Sequence, residues 1–198
     1  MFFSASQLVK CSATQLLYKR DKPRPSQTAA QAKGNSYSEK VSKSEFLEMS
    51  GCFKHSDIEI HFSVDEVQKN RGRIYLIEHK MVQGDYESWY LLNSVIQTAL
   101  YGALAQYCTS LKQARWAPNF ESGPRIMDLD KPCYSRLNFG GTLYRVTFDA
   151  TQVIRFYLTK ARASKNWNTA KKFDASWKFK EWSWLEQFIN FKKLGGLK

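Results

Sequence analysis

The chain has 198 residues, of which 43% are hydrophobic and 15% aromatic, so its composition is that of a folded protein and excludes general disorder. Lysine and arginine number 30 against 18 acidic residues, and the net charge of +12 favours a polyanionic partner, either nucleic acid or an anionic membrane surface. The four cysteines form no C-x-x-C pair, so the sequence predicts neither a zinc site nor a disulfide framework.

The charge is concentrated at the two ends of the chain. Residues 10–43 contain eight basic and two acidic residues, and residues 160–198 contain ten and three. The acidic residues are therefore enriched in the centre, which predicts basic surfaces around an acidic site. Because no apolar run is long enough to span a bilayer and the first residues do not resemble a secretory signal, we expect an intracellular protein without a membrane anchor.

The first half of the chain predicts two helical segments followed by a hairpin. Residues 4–20 have helical spacing, with Ser4 or Ser6 as the cap, and residues 27–49 have helical character again. Residues 53–67 alternate between apolar and polar side chains, which is typical of a half-buried strand. A turn at QKNRG leads to a second strand, RIYLIEHK, so the two strands form a predicted antiparallel hairpin.

The second half predicts one long helix, a loop, two strands and a final helix. Residues 89–108 carry an apolar helical face, and residues 109–141 are rich in proline and glycine, which indicates a loop or lid. Two strands are expected around residues 149–151. A last helix is expected to begin near Asp174 and to end at Gly195-Gly196.

These elements predict an α/β fold with a central mixed sheet flanked by helices. We expect a single domain over residues 1–198. Its predicted parts are a helical N-terminal part (1–50), a catalytic core (53–108), the loop or lid (109–141), and strands with a C-terminal helix (142–198).

Asp65, Glu78 and Lys80 form the candidate catalytic set. Asp65 lies near the end of one predicted strand, and Glu78 and Lys80 share one face at the end of the next. Paired carboxylates hold a divalent cation, and a neighbouring lysine orients water or stabilises developing charge. The alternative is a polar strand end at the surface, with Asp65 capping a turn.

Asp65 followed by Glu78-His79-Lys80 resembles the motif of the PD-(D/E)XK nuclease superfamily. The resemblance extends to its RecB-like exonuclease branch, since Gln97-Thr98-Ala99-Leu100-Tyr101 on the predicted helix matches the Q-x-x-x-Y of that branch. Ser4-Ala5-Ser6-Gln7-Leu8 is similar to its first helix. Thr159-Lys160 is similar to a lysine-containing strand end of the branch, and Ala170 to Asp174 is similar to the start of a helix.

The resemblance implies a restriction-endonuclease-like core and a Mg²⁺- or Mn²⁺-dependent deoxyribonuclease that acts on single-stranded DNA or DNA ends. It implies that Asp65, Glu78 and the His79 carbonyl hold the metal. Lys80 would position or activate water, and Gln97 and Tyr101 would orient Lys80 or the strand.

Basic residues would bind the DNA backbone. The predicted nucleic-acid contacts are Lys160, Arg162 and Lys165, together with the basic residues of 10–43. Trp167, in the same basic segment, could stack on a base or lie in the core. A homo-oligomer or a recombination partner protein is also compatible with such a nuclease.

Two features depart from the branch. Ser38 stands where its Gly-x-x-x-His motif would have histidine, so Glu39, His55 and His61 remain candidates for a third metal ligand. No cysteine follows Cys133, so no iron–sulfur cluster is expected. The missing histidine favours an alternative function, an inactive nuclease fold that binds DNA or regulates. A further alternative is a membrane or ribonucleoprotein adaptor that uses the basic tail.

Overall fold

The structure, a computed structural model, describes residues 1–20, 36–37, 40–42, 44, 46–82, 88–113, 125–177 and 181–196. Its strands are β1 (Phe2–Ser4), β2 (Phe46–His55), β3 (Ile58–Asn70), β4 (Arg73–Lys80), β5 (Ser110–Gln113), β6 (Ile126–Asp128), β7 (Cys133–Phe139), β8 (Thr142–Phe148) and β9 (Ile189–Gly196). Its helices are α1 (Ala5–Lys10), α2 (Ala13–Arg20), α3 (Ser88–Ala105), α4 (Ala150–Ala163), α5 (Trp167–Trp177) and α6 (Glu181–Leu185).

All nine strands join one mixed sheet, so the predicted α/β class with a mixed sheet flanked by helices is confirmed. The strand order is β6-β5-β2-β3-β4-β7-β8-β9, and β1 pairs with β3 away from this path. The β1–β3 and β4–β7 pairs are parallel, and the other neighbours are antiparallel. In the described part of the chain, no helix is long and apolar enough to cross a membrane.

Strand β3 forms a fork in the sheet. One of its edges pairs with β2 along most of its length. The other edge pairs first with β1, up to Ser4↔His61, and then with β4, from Glu66↔Ile77 onward. Asp65 therefore lies between the two partners, at the point where the C-terminal end of β4 separates from β3.

The predicted hairpin of β3 and β4 is confirmed, and its turn is tighter than the five-residue QKNRG. The strands pair up to Asn70↔Arg73, which leaves a two-residue turn. Arg71 and Gly72 both have positive φ, 48° and 74°, as this kind of hairpin turn requires. This turn fixes the register, and the register brings Glu78 level with Asp65.

The predicted helix over residues 89–108 is confirmed as α3, which packs against the sheet. Its buried face includes Val95, Ala99 and Leu104. At Gly102 the helix approaches β7 so closely that an added Cβ would lie 2.0 Å from the Ser135 Oγ. This close approach holds α3 beside the strand ends that carry the candidate site.

The expectations for the first 67 residues need three corrections. The helix expected over 4–20 is preceded by β1 and divided into α1 and α2, because the chain is extended at Cys11, with ψ 145°. The helix expected over 27–49 is wrong from Phe46 onward, where the chain forms β2; residues 27–35 lie outside the described part. The strand expected over 53–67 is divided by a turn at Ser56, whose φ is 53°.

The loop expected over 109–141 is also wrong where it is described. It contains β5, β6 and β7, and β7 is an interior strand paired with both β4 and β8. The described prolines and glycines of this stretch lie next to the strands rather than within them. Pro132 immediately precedes β7, and Gly140-Gly141, both with positive φ, form its turn to β8.

The C-terminal expectations were wrong in three places. The second strand expected after residues 149–151 is helix α4, and the Asp149 side chain accepts a hydrogen bond from the Gln152 N–H at its start. Asp174 lies inside α5, and its carboxylate accepts hydrogen bonds from Ala13 N and Thr14 N at the start of α2. The end of the expected final helix is strand β9.

Candidate active site

Asp65, Glu78 and Lys80 meet at the fork between β3 and β4. The Asp65 carboxylate accepts a hydrogen bond from the His79 N–H at 2.7 Å, which ties it to the end of β4. The β2–β3 ladder is irregular here, since pairing runs from Leu47↔Glu66 to Met49↔Val64 and the intervening Glu48 has a φ of 52°. This irregularity leaves Asp65 half-buried and directed at its neighbours on β4.

A hydrogen-bonded network holds Glu78 from the helix side. Its Oε1 atom accepts hydrogen bonds from Lys80 Nζ and, at 2.9 Å, from Gln97 Nε2. Gln97 Nε2 also donates to the Tyr101 hydroxyl at 2.8 Å. Gln97 and Tyr101 face the site together because residues four apart share one side of a helix. The structure thus brings together the five residues that were predicted to be catalytic.

The second oxygen of Glu78 has no hydrogen-bond partner within the described part of the chain. Glu78 is 3% exposed, and its Oε2 atom makes no hydrogen bond to any described residue. A buried anionic oxygen without a donor is costly unless a cation or water satisfies it. The atoms that could bind a metal here are the carboxylate oxygens of Asp65 and Glu78, and oxygen atoms of this kind are the ligands that Mg²⁺ and Mn²⁺ prefer. The residues present therefore fit a divalent cation of this kind.

The electrostatics of Asp65 and Glu78 also fit a site for a divalent cation. Burial, and then the charge of Glu78, raise the pKa of Asp65 to about 7, while Lys80 opposes the shift. Burial alone would lower the pKa of Lys80, but the charges of Glu78 and Asp65 outweigh it and raise the pKa to about 12. Burial and the neighbouring carboxylate thus disfavour the ionised form of Asp65 more than Lys80 favours it.

Tyr101 is held as a neutral hydroxyl. Burial, and then the charges of Glu78 and Asp65, raise its pKa well above the usual value. It therefore acts here as a hydrogen-bonding group that fixes Gln97.

The His79 side chain lies on the opposite face of β4, as its position in the strand predicts. Its Nε2 atom lies 2.9 Å from Glu66 Oε2, and its Nδ1 atom lies 2.9 Å from Asn138 Nδ2 on β7. Asn138 Oδ1 in turn accepts a hydrogen bond from Gly141 N. These buried hydrogen-bonded side chains fix β4 against β7. Because the His79 side chain points to them, only its main chain lies near Asp65.

Neither His55 nor His61 lies at this centre. His61 is four residues from Asp65 on an extended strand, about 13 Å away at the usual rise. It stacks on Phe2, with ring centroids 4.3 Å apart, and its Nε2 atom lies 2.7 Å from Glu59 Oε1. His55 is exposed at the end of β2. Glu39 lies outside the described residues.

A separate group of possible metal ligands surrounds His61. Its donor atoms, from Cys52, Glu59 and His61, all lie within 4.8 Å of one another. The Cys52 thiol donates to Glu59 Oε1 at 3.2 Å, and burial raises the pKa of this thiol to about 11. Glu59 Oε1 is thus already engaged by both the Cys52 thiol and the His61 ring.

The predicted DNA-binding residues lie apart from one another on and after α4. Lys160 is 2% exposed, and its Nζ atom lies 5.8 Å from the centre of the Tyr157 ring. Arg162 is exposed, and Lys165 forms an exposed ion pair with Asp57 at 3.0 Å. Lys160 lies in helix α4, so the strand end expected at Thr159-Lys160 is wrong.

Three neighbours of the site were not predicted. Ser6 lies near enough to Tyr101 to oppose the rise in the pKa of its hydroxyl, and Lys10 is close enough for its charge to interact with Lys80 and Glu78. Both lie on α1, which follows β1 directly past the fork. The S-x-S-x-L pattern was the available signal for Ser6. Asn138 had no such signal, because its strand was read as a loop.

Comparison with known proteins gives limited help. No protein-family model and no curated protein sequence matches this chain. Among solved structures, the crystal structure of SSO0001 is similar, with 15% sequence identity and a TM-score of 0.45, covering 81% of this chain and 75% of that chain.

The pKa of Asp65 leads to a prediction about metal-free stability. Between the unfolded pKa of about 3.9 and the folded pKa of about 7, the folded protein binds more protons, so wild-type stability falls as pH rises. We expect Asp65→Asn, which retains the acceptor for His79 N, to be more stable than wild type by on the order of 2 kcal/mol at pH 8, allowing for partial exposure. Near pH 4 the advantage should disappear.

Urea unfolding in EDTA at pH 4, 6 and 8 measures this difference, with the exposed Asp128→Asn as the matched control. A pH-independent difference between Asp65→Asn and wild type would contradict the electrostatic account of Asp65.

Proposed function

We propose that this protein is a metal-dependent nuclease that hydrolyses phosphodiester bonds of DNA at the fork between β3 and β4. The observation that carries the proposal is the buried, unpartnered Oε2 atom of Glu78 beside Asp65, with Lys80 on the other Glu78 oxygen. Two carboxylates that face each other across a strand junction, with one lysine, suit the binding of a cation and an anionic phosphate together.

Asp65 and Glu78 would hold Mg²⁺ or Mn²⁺, with the His79 carbonyl as a further ligand. When bound, the cation would supply charge stabilisation to the phosphate and to the leaving 3′ oxygen. Asp65 is kept in position by the His79 N–H, and Glu78 by Gln97. These contacts hold the two carboxylates ready and reduce the movement needed on binding.

Lys80 would orient the attacking water and stabilise negative charge on the phosphate. In the cation-free protein it is protonated at neutral pH, because its pKa is raised to about 12. A protonated lysine donates hydrogen bonds and cannot accept a proton, so we assign it a positioning and electrostatic role. We also propose that the fold has a restriction-endonuclease-like core and is related to the RecB-like branch. The support is the pattern of Asp65, Glu78-x-Lys80 and Gln97-x-x-x-Tyr101.

The proposal is tested by cleavage of labelled DNA, with the label at an end of linear substrates and within the strand of circular ones. Single- and double-stranded substrates, linear and circular, are incubated with Mg²⁺, Mn²⁺ or EDTA. We expect cleavage with either metal and none in EDTA, with activity on single strands or ends, and the circular substrates separate endonuclease from exonuclease action. Binding of DNA without cleavage under any metal condition would favour a DNA-binding protein with an inactive nuclease fold.

Gln97 should affect turnover more than Tyr101 does. Gln97→Leu removes the donor to Glu78 Oε1, and we expect kcat to fall about 10- to 100-fold while KM for DNA stays within about twofold. Tyr101→Phe removes only the hydroxyl that fixes Gln97, so a smaller loss is expected. Steady-state kinetics are measured on these variants and on the control Gln106→Leu, an exposed position just after α3. The control shows whether a Gln-to-Leu change lowers kcat through misfolding alone. Equal losses in Gln97→Leu and Gln106→Leu would count against a positioning role.

A further inference from the structure

A groove beside the candidate active site combines lysines with exposed aromatic rings. It has a volume of about 570 Å³ and is lined by residues of α1, α2, α4 and α5 and of the α1–α2 junction, including Lys10, Lys160, Trp167, Lys171 and Asp174. This volume lies within the ~300–1,000 Å³ range of ligand pockets. The groove is therefore large enough to receive part of a polymeric ligand.

The charge of the groove is positive. Lys10 and Lys171 line it together with the buried Lys160, and Asp174 is the one acidic residue of its described lining. The Asp174 carboxylate is already engaged, since it accepts hydrogen bonds from Ala13 N at 2.7 Å and from the Thr14 hydroxyl at 2.8 Å. The groove consequently favours an anionic ligand.

The aromatic part of the groove is accessible. Trp167 is 39% exposed, and Tyr18, which is 60% exposed, packs against it edge-on with ring centroids 5.4 Å apart. The Lys171 ammonium lies 4.9 Å from the centre of the Trp167 ring. An exposed ring with an adjacent cation is the arrangement on which unpaired bases stack while their phosphates are neutralised.

Lys10 connects this groove to the catalytic set. It ends α1 and lines the groove, and its charge interacts with those of Lys80 and Glu78. A strand whose phosphate lies at Glu78 and Lys80 could therefore pass Lys10 and enter the groove. This continuity distinguishes it from an isolated basic patch.

We propose that the groove binds a single-stranded segment of the nucleic acid substrate, with phosphates at Lys10 and Lys171 and an unpaired base on Trp167. The inference rests on the proposed nuclease function and adds the surface and the residues that would bind the single strand. A base inside a duplex has both faces covered by its neighbours, so it cannot stack on Trp167. The groove therefore selects single strands or frayed ends.

The test is binding without cleavage. Fluorescence anisotropy with a labelled single-stranded oligodeoxynucleotide, the same sequence as blunt duplex, and its RNA counterpart is measured in EDTA. We expect Trp167→Ala to weaken single-strand binding about tenfold or more and duplex binding less than twofold, with Trp167→Phe intermediate. Lys171→Gln should reduce the slope of log K against log salt for single strands by about 0.7.

Matched controls are Tyr107→Ala, an exposed aromatic near Phe53, and Lys192→Gln, an exposed lysine on β9. Both should bind like wild type. The RNA arm shows whether the groove accepts both polynucleotides or only DNA. If folded Trp167→Phe, Trp167→Ala and Lys171→Gln all bind single strands like wild type, the groove inference is overturned. The nuclease proposal would then stand or fall separately on metal-dependent cleavage.

Discussion

Replacing Glu78 by glutamine should reduce metal-dependent DNA cleavage by at least about 1,000-fold. The amide oxygen can still accept from Lys80 and Gln97, so the network on Oε1 is retained. The atom that changes is the unpartnered, buried Oε2, which becomes an uncharged NH₂ group. The loss would thus come from the removal of a metal ligand rather than from unfolding.

Glu59→Gln is the matched control for this substitution. Glu59 belongs to the separate Cys52–His61 group on β2 and β3, so its replacement should leave cleavage within about twofold of wild type. Rates are measured with saturating Mn²⁺ on single-stranded DNA, and folding is checked by circular dichroism. Retained activity in folded Glu78→Gln would remove Glu78 from the mechanism.

Lys80→Met should reduce the rate of DNA cleavage about 100-fold or more, and it should also destabilise the metal-free protein. The Lys80 and Glu78 side chains are 17% and 4% exposed, so the substitution leaves a buried carboxylate without its main counter-charge. Removal of one partner from such a pair typically costs about 3 kcal/mol or more. Lys192→Met, on the exposed surface of β9, should change neither property.

A double-mutant cycle separates the two effects of Lys80. In Glu78→Gln/Lys80→Met, the unpaired charge is gone, so most of the lost stability should return while cleavage stays absent. Urea unfolding in EDTA and cleavage in Mn²⁺ are measured on all four proteins. If the double variant is as unstable as Lys80→Met, the buried ion pair is not the cause of the destabilisation.

Much of the candidate site could be predicted because its residues lie on elements with clear local patterns. Strand β4 is a short apolar run after a glycine turn, and α3 has a continuous apolar face that places Gln97 and Tyr101 together. In both, local periodicity agrees with burial, so local and tertiary preferences coincide.

The errors occurred where tertiary contacts override the local pattern. Strand β7 is interior, yet it carries Asn138, which is buried because it bonds to His79 across the sheet. Helix α4 contains β-branched residues that favour strands, such as Val153 and Ile154, but Asp149 caps its start and its apolar face is buried. Neither the bond between Asn138 and His79 nor the burial of the apolar face of α4 can be inferred from the residues that neighbour them in sequence.

Binding of Mn²⁺ to the metal-free protein, followed by electron paramagnetic resonance, tests most directly whether the fork between β3 and β4 holds a metal ion. We predict that wild type and Glu59→Gln bind Mn²⁺ alike, whereas Asp65→Asn and Glu78→Gln each lose most of the affinity. Equal Mn²⁺ binding by Glu78→Gln and wild type, or loss of binding only in Glu59→Gln, would contradict a metal centre at the fork between β3 and β4.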